Sequence, residues 1–347
     1  ALERGFEKKK WAKVVAVLFA AFAALASFGI GAAVQSNSVV GIIDEYTVVL
    51  PVWVIGLILA ALVAVVIFGG IKTISQACEK IVPFMAIFYI VCCLVIIGIN
   101  GQYLLPALKW IVVCAFDPVS MVGGGAGFAI MTALRYGAAR GLFSNESGMG
   151  SAPLAAANSN SKNPARTGLI IMSGAFWDTV VICLITGLTL TTAILASPEL
   201  TATYAATEAG LAAGFAKGLN LTVAAFNQIP VFGPIVLIGG MVLFSYTTMI
   251  GWAWYGNRVV TYLFGSKLNK VYNIVFILFI FLGAIGGSAL LASTTWDFAD
   301  IMNGLMVVPN VVALFALSKV IAKDTQHYIW DKNIDEVDNA PIPTVEK

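Results

Sequence analysis

The chain has 347 residues, of which 59% are hydrophobic and only 11% charged, with a formal net charge of +2 and a mean hydropathy of +0.91. Soluble domains run near 45–50% apolar and about 25% charged, so a surplus of this size has to face lipid. No succession of short alternating strands is present, which argues against an outer-membrane barrel. The fold class expected is an all-α integral membrane protein. The five cysteines, Cys78, Cys92, Cys93, Cys114 and Cys183, lie in or beside apolar runs without metal-ligand spacing, as packing residues do. His327 is the only histidine and falls in a polar tail. With no acid/base pair or metal cluster beside it, a membrane-embedded enzyme has little to work with.

A helix needs about 20 mostly apolar residues to cross the hydrocarbon. On that ruler, membrane segments fall near residues 12–41, 50–70, 81–100, 122–158, 165–194, 229–263, 271–292 and 301–321. Residues 1–322 then make one transmembrane bundle. The stretch 195–228 reads as an extracellular loop with short helices. Residues 323–347 read as a polar, flexible cytoplasmic tail ending in Pro-Ile-Pro-Thr and three further residues. Cytoplasmic loops should be rich in lysine and arginine. With the N-terminus inside, 16 of the 20 lysines and arginines fall in inside loops or the tail. Only Lys109 and Lys217 fall outside, and Arg135 and Arg140 lie within the fourth segment. This sorting predicts eight crossings with both ends of the chain cytoplasmic. The chain starts at Ala1, without a methionine or signal peptide, directly on a basic juxtamembrane stretch, and so reads as N-terminally truncated.

The fourth segment holds the unusual chemistry. Gly123-Gly-Gly-Ala-Gly-Phe128 fits a dinucleotide-loop pattern loosely, but no strand precedes it, so it is not read as a nucleotide site. Further on, Gly141, Gly148 and Gly150 weaken the helix, while Ser144, Asn145, Glu146 and Ser147 bring polar groups to membrane depth. Unwound backbone is tolerated there only where protein buries it or it lines a cavity. Pro153 suits a restarting helix, with Ser151 as its candidate N-cap. Half-helix ends of this kind offer N–H groups to carboxylates and carbonyls to cations; the alternative is a kink whose glycines serve close packing. Glu146 is a gate or proton site, or else a structural carboxylate held by backbone donors, Arg135 or Arg140. Asp178, inside the next apolar helix, is likewise structural or on an ion path. Gln35 and Asn37 are amides that either glue helices or touch a ligand. Thr247 and Thr248 could give hard oxygen ligands to a small cation, or bond back to their own helix.

Arg140-Gly-Leu-Phe-Ser-Asn-Glu-Ser-Gly-Met-Gly-Ser-Ala-Pro153 closely resembles the signature of the alanine/glycine:cation symporters. The likeness extends through Ala26-Ser-Phe-Gly-Ile-Gly31, Val34-Gln-Ser-Asn37, Gly174-Ala-Phe-Trp-Asp-Thr179, Thr247-Thr-Met-Ile-Gly-Trp252 and Pro309-Asn310. Departures are small: Ser147 and Met149 stand where alanine and leucine are usual, Thr247 where serine is, and Asn257 where an acidic residue is common. The resemblance implies a LeuT-type fold of two inverted five-helix repeats. This chain would begin at its third core helix and end with its tenth, without the first two, one of which carries a glycine-asparagine break.

By position, the resemblance implies that Gln35, Phe143, Ser144, Asn145, Gly148, Thr248 and Trp252 form a small substrate cavity closed by Phe143 and Trp252. It also implies a sodium position at Thr247 and Thr248. The function implied is secondary active transport of alanine or glycine with a cation, Na⁺ or alternatively H⁺. The alternatives are a LeuT-type permease for another small solute, or a fragment that does not transport by itself.

Overall fold

The computed structural model describes residues 2–6, 9–46, 50–116, 137–157, 159, 161, 163–202, 214–229, 231–286 and 289–337. Among these residues every regular element is a helix. After a single turn at Leu2–Gly5, α1 runs continuously over Lys10–Tyr46. It is followed by α2 (Val52–Phe68), α3 (Ile71–Ile99) and α4 (Leu104–Phe116). The fourth segment contributes α5 (137–145) and, after a break, α6 (Ala152–Ala156). Then come α7 (Pro164–Ala196), α8 (Gly214–Phe226), α9 (Phe232–Phe264), α10 (Asn269–Ile285) and α11 (Ala289–Thr325). Six of these helices, taken with their short extensions, are long and apolar enough to cross a membrane, and α2 is a seventh, shorter apolar helix. The chain is therefore a multi-pass helical membrane protein.

Seven of the eight expected segments coincide with these helices. The N-terminal half of the fourth, with Gly123–Phe128 and Arg135, lies outside the described residues, as do Cys114's side chain and 203–213 of the expected loop. Sequence reading overlooked α4, a helix of 13 residues. Its Leu104-Leu-Pro-Ala-Leu108 start is apolar enough to form a helix but too short to cross the hydrocarbon.

Side chains point outward where lipid would lie: Val65 is 73% and Phe315 78% exposed. A soluble surface does not carry contiguous apolar area of this kind. Inside, one large cluster joins α1, α2, α9, α10 and α11 around Ile30, Trp252, Phe276 and Met306. α10 packs along α2, α9 along α1 and α3, and α11 along α1. Small residues set the approach of α10 to α1. A Cβ placed on Gly283 would sit 2.5 Å from the Cα and O of Ala33 and from Ser36 Oγ. Membrane helices associate through such close contacts because lipid leaves no hydrophobic drive between them. Asn37 adds a bond across the same contact, its Nδ2 donating to Gly283 O at 3.4 Å.

Two of the long helices are underwound in their middles. α1 is π-helical over Ser27–Ala33 and α7 over Phe176–Cys183. A π segment shifts backbone pairing by one residue and leaves a carbonyl to be met otherwise. Gln35 does this in α1, its Nε2 donating to Ile30 O at 3.0 Å.

The expected flexible tail is structured as far as residue 337. The last helix continues past Lys323 into a π turn at Gln326–Trp330, and the chain then folds back onto the start of α7. Asn163 caps α7 by accepting from Arg166 N, and its Nδ2 donates to both Ile334 O and Glu336 O. Arg166 pairs with Asp335 and His327 with Glu336. Asn163 is a buried N-cap, which an Asn at the foot of a Pro-initiated helix is suited to be.

Two outcomes follow from this packing. Gly283→Leu should cost about 3 kcal/mol or more through overpacking, seen as loss of a monodisperse peak in size-exclusion chromatography. Asn163→Ala should free residues 331–337, raising their amide exchange and proteolysis while the rest of the bundle keeps its protection.

Candidate functional site

The break in the fourth segment is where the fold departs from regular helix at membrane depth. α5 ends at Asn145, and the next residues turn through left-handed backbone: Glu146 at φ 55°, Gly148 at φ 85° and Gly150 at φ 90°. Glycine takes this conformation freely, whereas for Glu146 it costs about 1 kcal/mol or more. Local bonds close the turn, Glu146 N to Leu142 O and Met149 N to Glu146 O, each 3.1 Å. Pro153 lies in the first turn of α6, as expected, but Ser151 does not cap it. Its backbone is already helical (φ −69°, ψ −42°), whereas an N-cap needs extended backbone to aim its oxygen at the first N–H groups.

Three helices hold this turn. From α9, Trp252 Nε1 donates to Glu146 Oε1 at 2.9 Å. From α11, Asn310 Nδ2 donates to Gly148 O at 2.8 Å. From the π segment of α7, Asp178 accepts from Ser144 Oγ at 2.9 and 3.1 Å. Asn145 Nδ2 donates to Thr179 Oγ1 at 2.6 Å and to Ala175 O at 3.3 Å, and Ser147 Oγ bonds to Asn145 Oδ1. Side chains from three helices thus hold the unwound backbone, of which Met149 and Gly150 are buried and Ser147 and Gly148 exposed.

Arg140, one of the alternative partners considered for Glu146, is committed elsewhere. Its Nη2 lies 2.6 and 2.5 Å from the two carboxylate oxygens of Asp300 on α11. Its guanidinium also rests 5.1 Å from the Phe143 ring and 4.7 Å from the Trp296 ring, which stack on each other at 5.1 Å. Planar guanidinium suits both contacts at once. The side-chain donor that Glu146 meets is the Trp252 indole. That leaves Glu146 outside any ion pair among the described residues.

The other expected site residues divide. Phe143, Ser144, Asn145, Gly148 and Trp252 all meet at the break, with Trp252 only 2% exposed. Phe143 and Trp252 face different rings, Trp296 and Tyr255 respectively. Gln35 is engaged with the π carbonyl of α1. Thr247 Oγ1 donates within its own helix, to Leu243 O and Phe244 O at 3.0 Å, and Thr248 follows it on the half-buried side. Arg258, which lacks a neighbouring carboxylate in sequence, lies 3.7 Å over the Trp254 ring instead. Sequence reading assigned nothing to Trp296, Asp300 or Asn310. The available signal was the recurrence of polar and aromatic residues every three to seven positions along one side of α11.

Discontinuous helices at membrane depth mark the binding sites of secondary transporters, so fold and break together define a membrane transporter. The sequence profile of the sodium:alanine symporter family matches residues 1–340. The sodium/alanine symporter AgcS of Methanococcus maripaludis is 41% identical over 328 residues, 94% of this chain and 68% of that protein. The amino-acid carrier protein AlsT of Bacillus subtilis is 34% identical over 87% of this chain and 60% of its own length. The probable sodium/glutamine symporter GlnT of the same organism is 35% identical over 95% and 64%. This chain thus spans roughly three-fifths to two-thirds of the length of these relatives. It belongs to the sodium:alanine symporter family, a family of transporters and not of enzymes.

The Arg140–Asp300 pair is part-exposed, so solvent screening limits its worth. A double-mutant cycle with Arg140→Met and Asp300→Asn should give a coupling of about 1 kcal/mol in unfolding experiments. A coupling near zero would mean that the aromatic stack alone positions Arg140.

Proposed function

We propose that this chain works in a symporter that moves alanine or glycine together with Na⁺ across the plasma membrane of a prokaryote. The observation that carries the reading is the left-handed break over 146–150, bonded on or beside the turn by α7, α9 and α11, in a chain of the sodium:alanine symporter family. Free N–H groups at such a break suit the amino-acid carboxylate, and its carbonyls suit a cation. Gln35, Phe143, Ser144, Asn145, Gly148, Thr248 and Trp252 are the proposed substrate contacts, and Thr247 and Thr248 the proposed cation contacts. On this reading the helices correspond to the third to tenth core helices of a LeuT-type fold, with eight crossings and both ends cytoplasmic.

Bonds such as Ser144–Asp178 and Trp252–Glu146 close on the break from different helices. Cation binding that orders the break would therefore favour amino-acid binding, and the reverse holds with equal strength. Rocking of the helices around the break then gives alternating access. Glutamine is the specific rival substrate, since one relative at 35% identity carries that name.

The test is uptake of labelled alanine by proteoliposomes containing the full-length protein, with and without an inward Na⁺ gradient. Uptake should require the gradient and be competed by glycine more strongly than by glutamine. Indifference to both Na⁺ and proton gradients rules out coupled transport; stronger competition by glutamine reassigns the substrate. In the same assay Trp252→Phe, which removes the donor to Glu146, should lower uptake about tenfold, the equivalent of 1.4 kcal/mol. Glu146→Gln keeps an acceptor for the indole and should retain most of it.

A further inference from the structure

α11 presents one stripe to the broken segment. Trp296, Asn303 and Asn310 recur at intervals of seven residues, two helical turns or about 10.5 Å each, so they share a face with little drift. The outer two have partners on the fourth segment. Trp296 stacks on Phe143, and Asn310 bonds Gly148 O. Asn303 lies between them and is only 3% exposed, yet neither its Nδ2 nor its Oδ1 has a hydrogen-bond partner.

Among the described residues, none that the packing sets near it is placed to satisfy it. A Cβ on Gly150 would meet Phe19 and Asn310, and one on Gly29 would meet Phe298 and Ala299. α1 and α11 therefore run antiparallel in a register that sets Asn303 opposite the buried alanines around Ala26, which offer no polar side chain. Ser27 beyond them is occupied, donating to Ala24 O and accepting from Tyr272. Residues 144–146 of the break, between the levels of Phe143 and Gly148, give their side chains to α7 and α9. A buried amide with both halves unmet is unfavourable for the fold, and an apolar residue would pack there at less cost.

We propose that Asn303 is a contact for the transported solute at the α11 side of the break, its Nδ2 donating to the solute carboxylate and its Oδ1 accepting from the solute ammonium. Among small ligands, an amino-acid zwitterion supplies an acceptor and a donor a few ångströms apart and so meets both halves of the amide. A bare cation would use Oδ1 alone. The proposal rests on the amino-acid transport reading above and adds α11 to the helices that line the path.

The experiment compares wild type with Asn303→Leu in the full-length protein in proteoliposomes. It measures alanine KM, Na⁺ affinity from thermal stabilisation without alanine, and the melting temperature. Asn303→Leu should raise the alanine KM at least tenfold, leave Na⁺ affinity within twofold, and hold or raise the melting temperature. An unchanged KM overturns the proposal and makes the amide a structural one served by trapped water. Loss of Na⁺ affinity with alanine KM unchanged overturns it in favour of a cation contact. If the leucine variant does not express, Asn303→Ala carries the same comparison. Wild type that transports no small amino acid defeats the functional reading and this inference together, whereas an active wild type with an unshifted variant defeats the inference alone.

Discussion

A polypeptide inside a bilayer has no water to satisfy its N–H and C=O groups, so it remains helical or is enclosed by other protein. The turn from Glu146 to Gly150 is where this chain leaves the helix, and much of the interior is arranged around that departure. Asp178, Trp252 and Asn310 reach it from three separate helices. Each bond fixes part of the turn to an element that is itself held by packing. The same dependence explains why Glu146, a charge at membrane depth, ends beside an indole N–H rather than an arginine. The guanidinium that could have met it is drawn to Asp300 and rests beside the stacked rings of Phe143 and Trp296.

The π segments belong to the same economy of backbone bonds. α1 and α7 each carry one in mid-helix, where such segments commonly mark functional sites. In α7 the π segment begins at Phe176 and presents Asp178 and Thr179 to Ser144 and Asn145. In α1 it releases the Ile30 carbonyl to Gln35. A return of either segment to α pairing would change which carbonyls are free beside the break. Ser144 and Asn145, bonded to one π segment, would feel any such shift directly.

Transport by this architecture requires that bonds across the break be exchangeable. On the function proposed, a solute carboxylate and ammonium would compete for the same donors and acceptors that now hold the turn to its neighbours. Trp252 and Glu146 are bound to each other, Thr247 to its own helix, and Asn303 to no hydrogen-bond partner among the described residues. These differences sort the polar residues of the interior into those that build the site and those with capacity left for a ligand.

Hydropathy was sufficient to find seven of the eight expected segments as helices, since a 20-residue apolar run has one stable fate in lipid. The break was legible too: three glycines beside Ser-Asn-Glu-Ser cannot remain regular helix in hydrocarbon. Partners were not legible. Arg140 pairs with Asp300 across 160 residues of chain, and helix periodicity says which face a residue occupies but not which helix lies opposite. For the same reason Ser151 looked like a cap until its backbone was known, and the polar tail looked free until Asn163 was seen to hold it. Composition and pattern by themselves determined a helical membrane protein with one interrupted segment. Which side chains meet at that interruption was decided only by tertiary packing, because contacts between distant helices depend on axial register and rotation that no local pattern encodes.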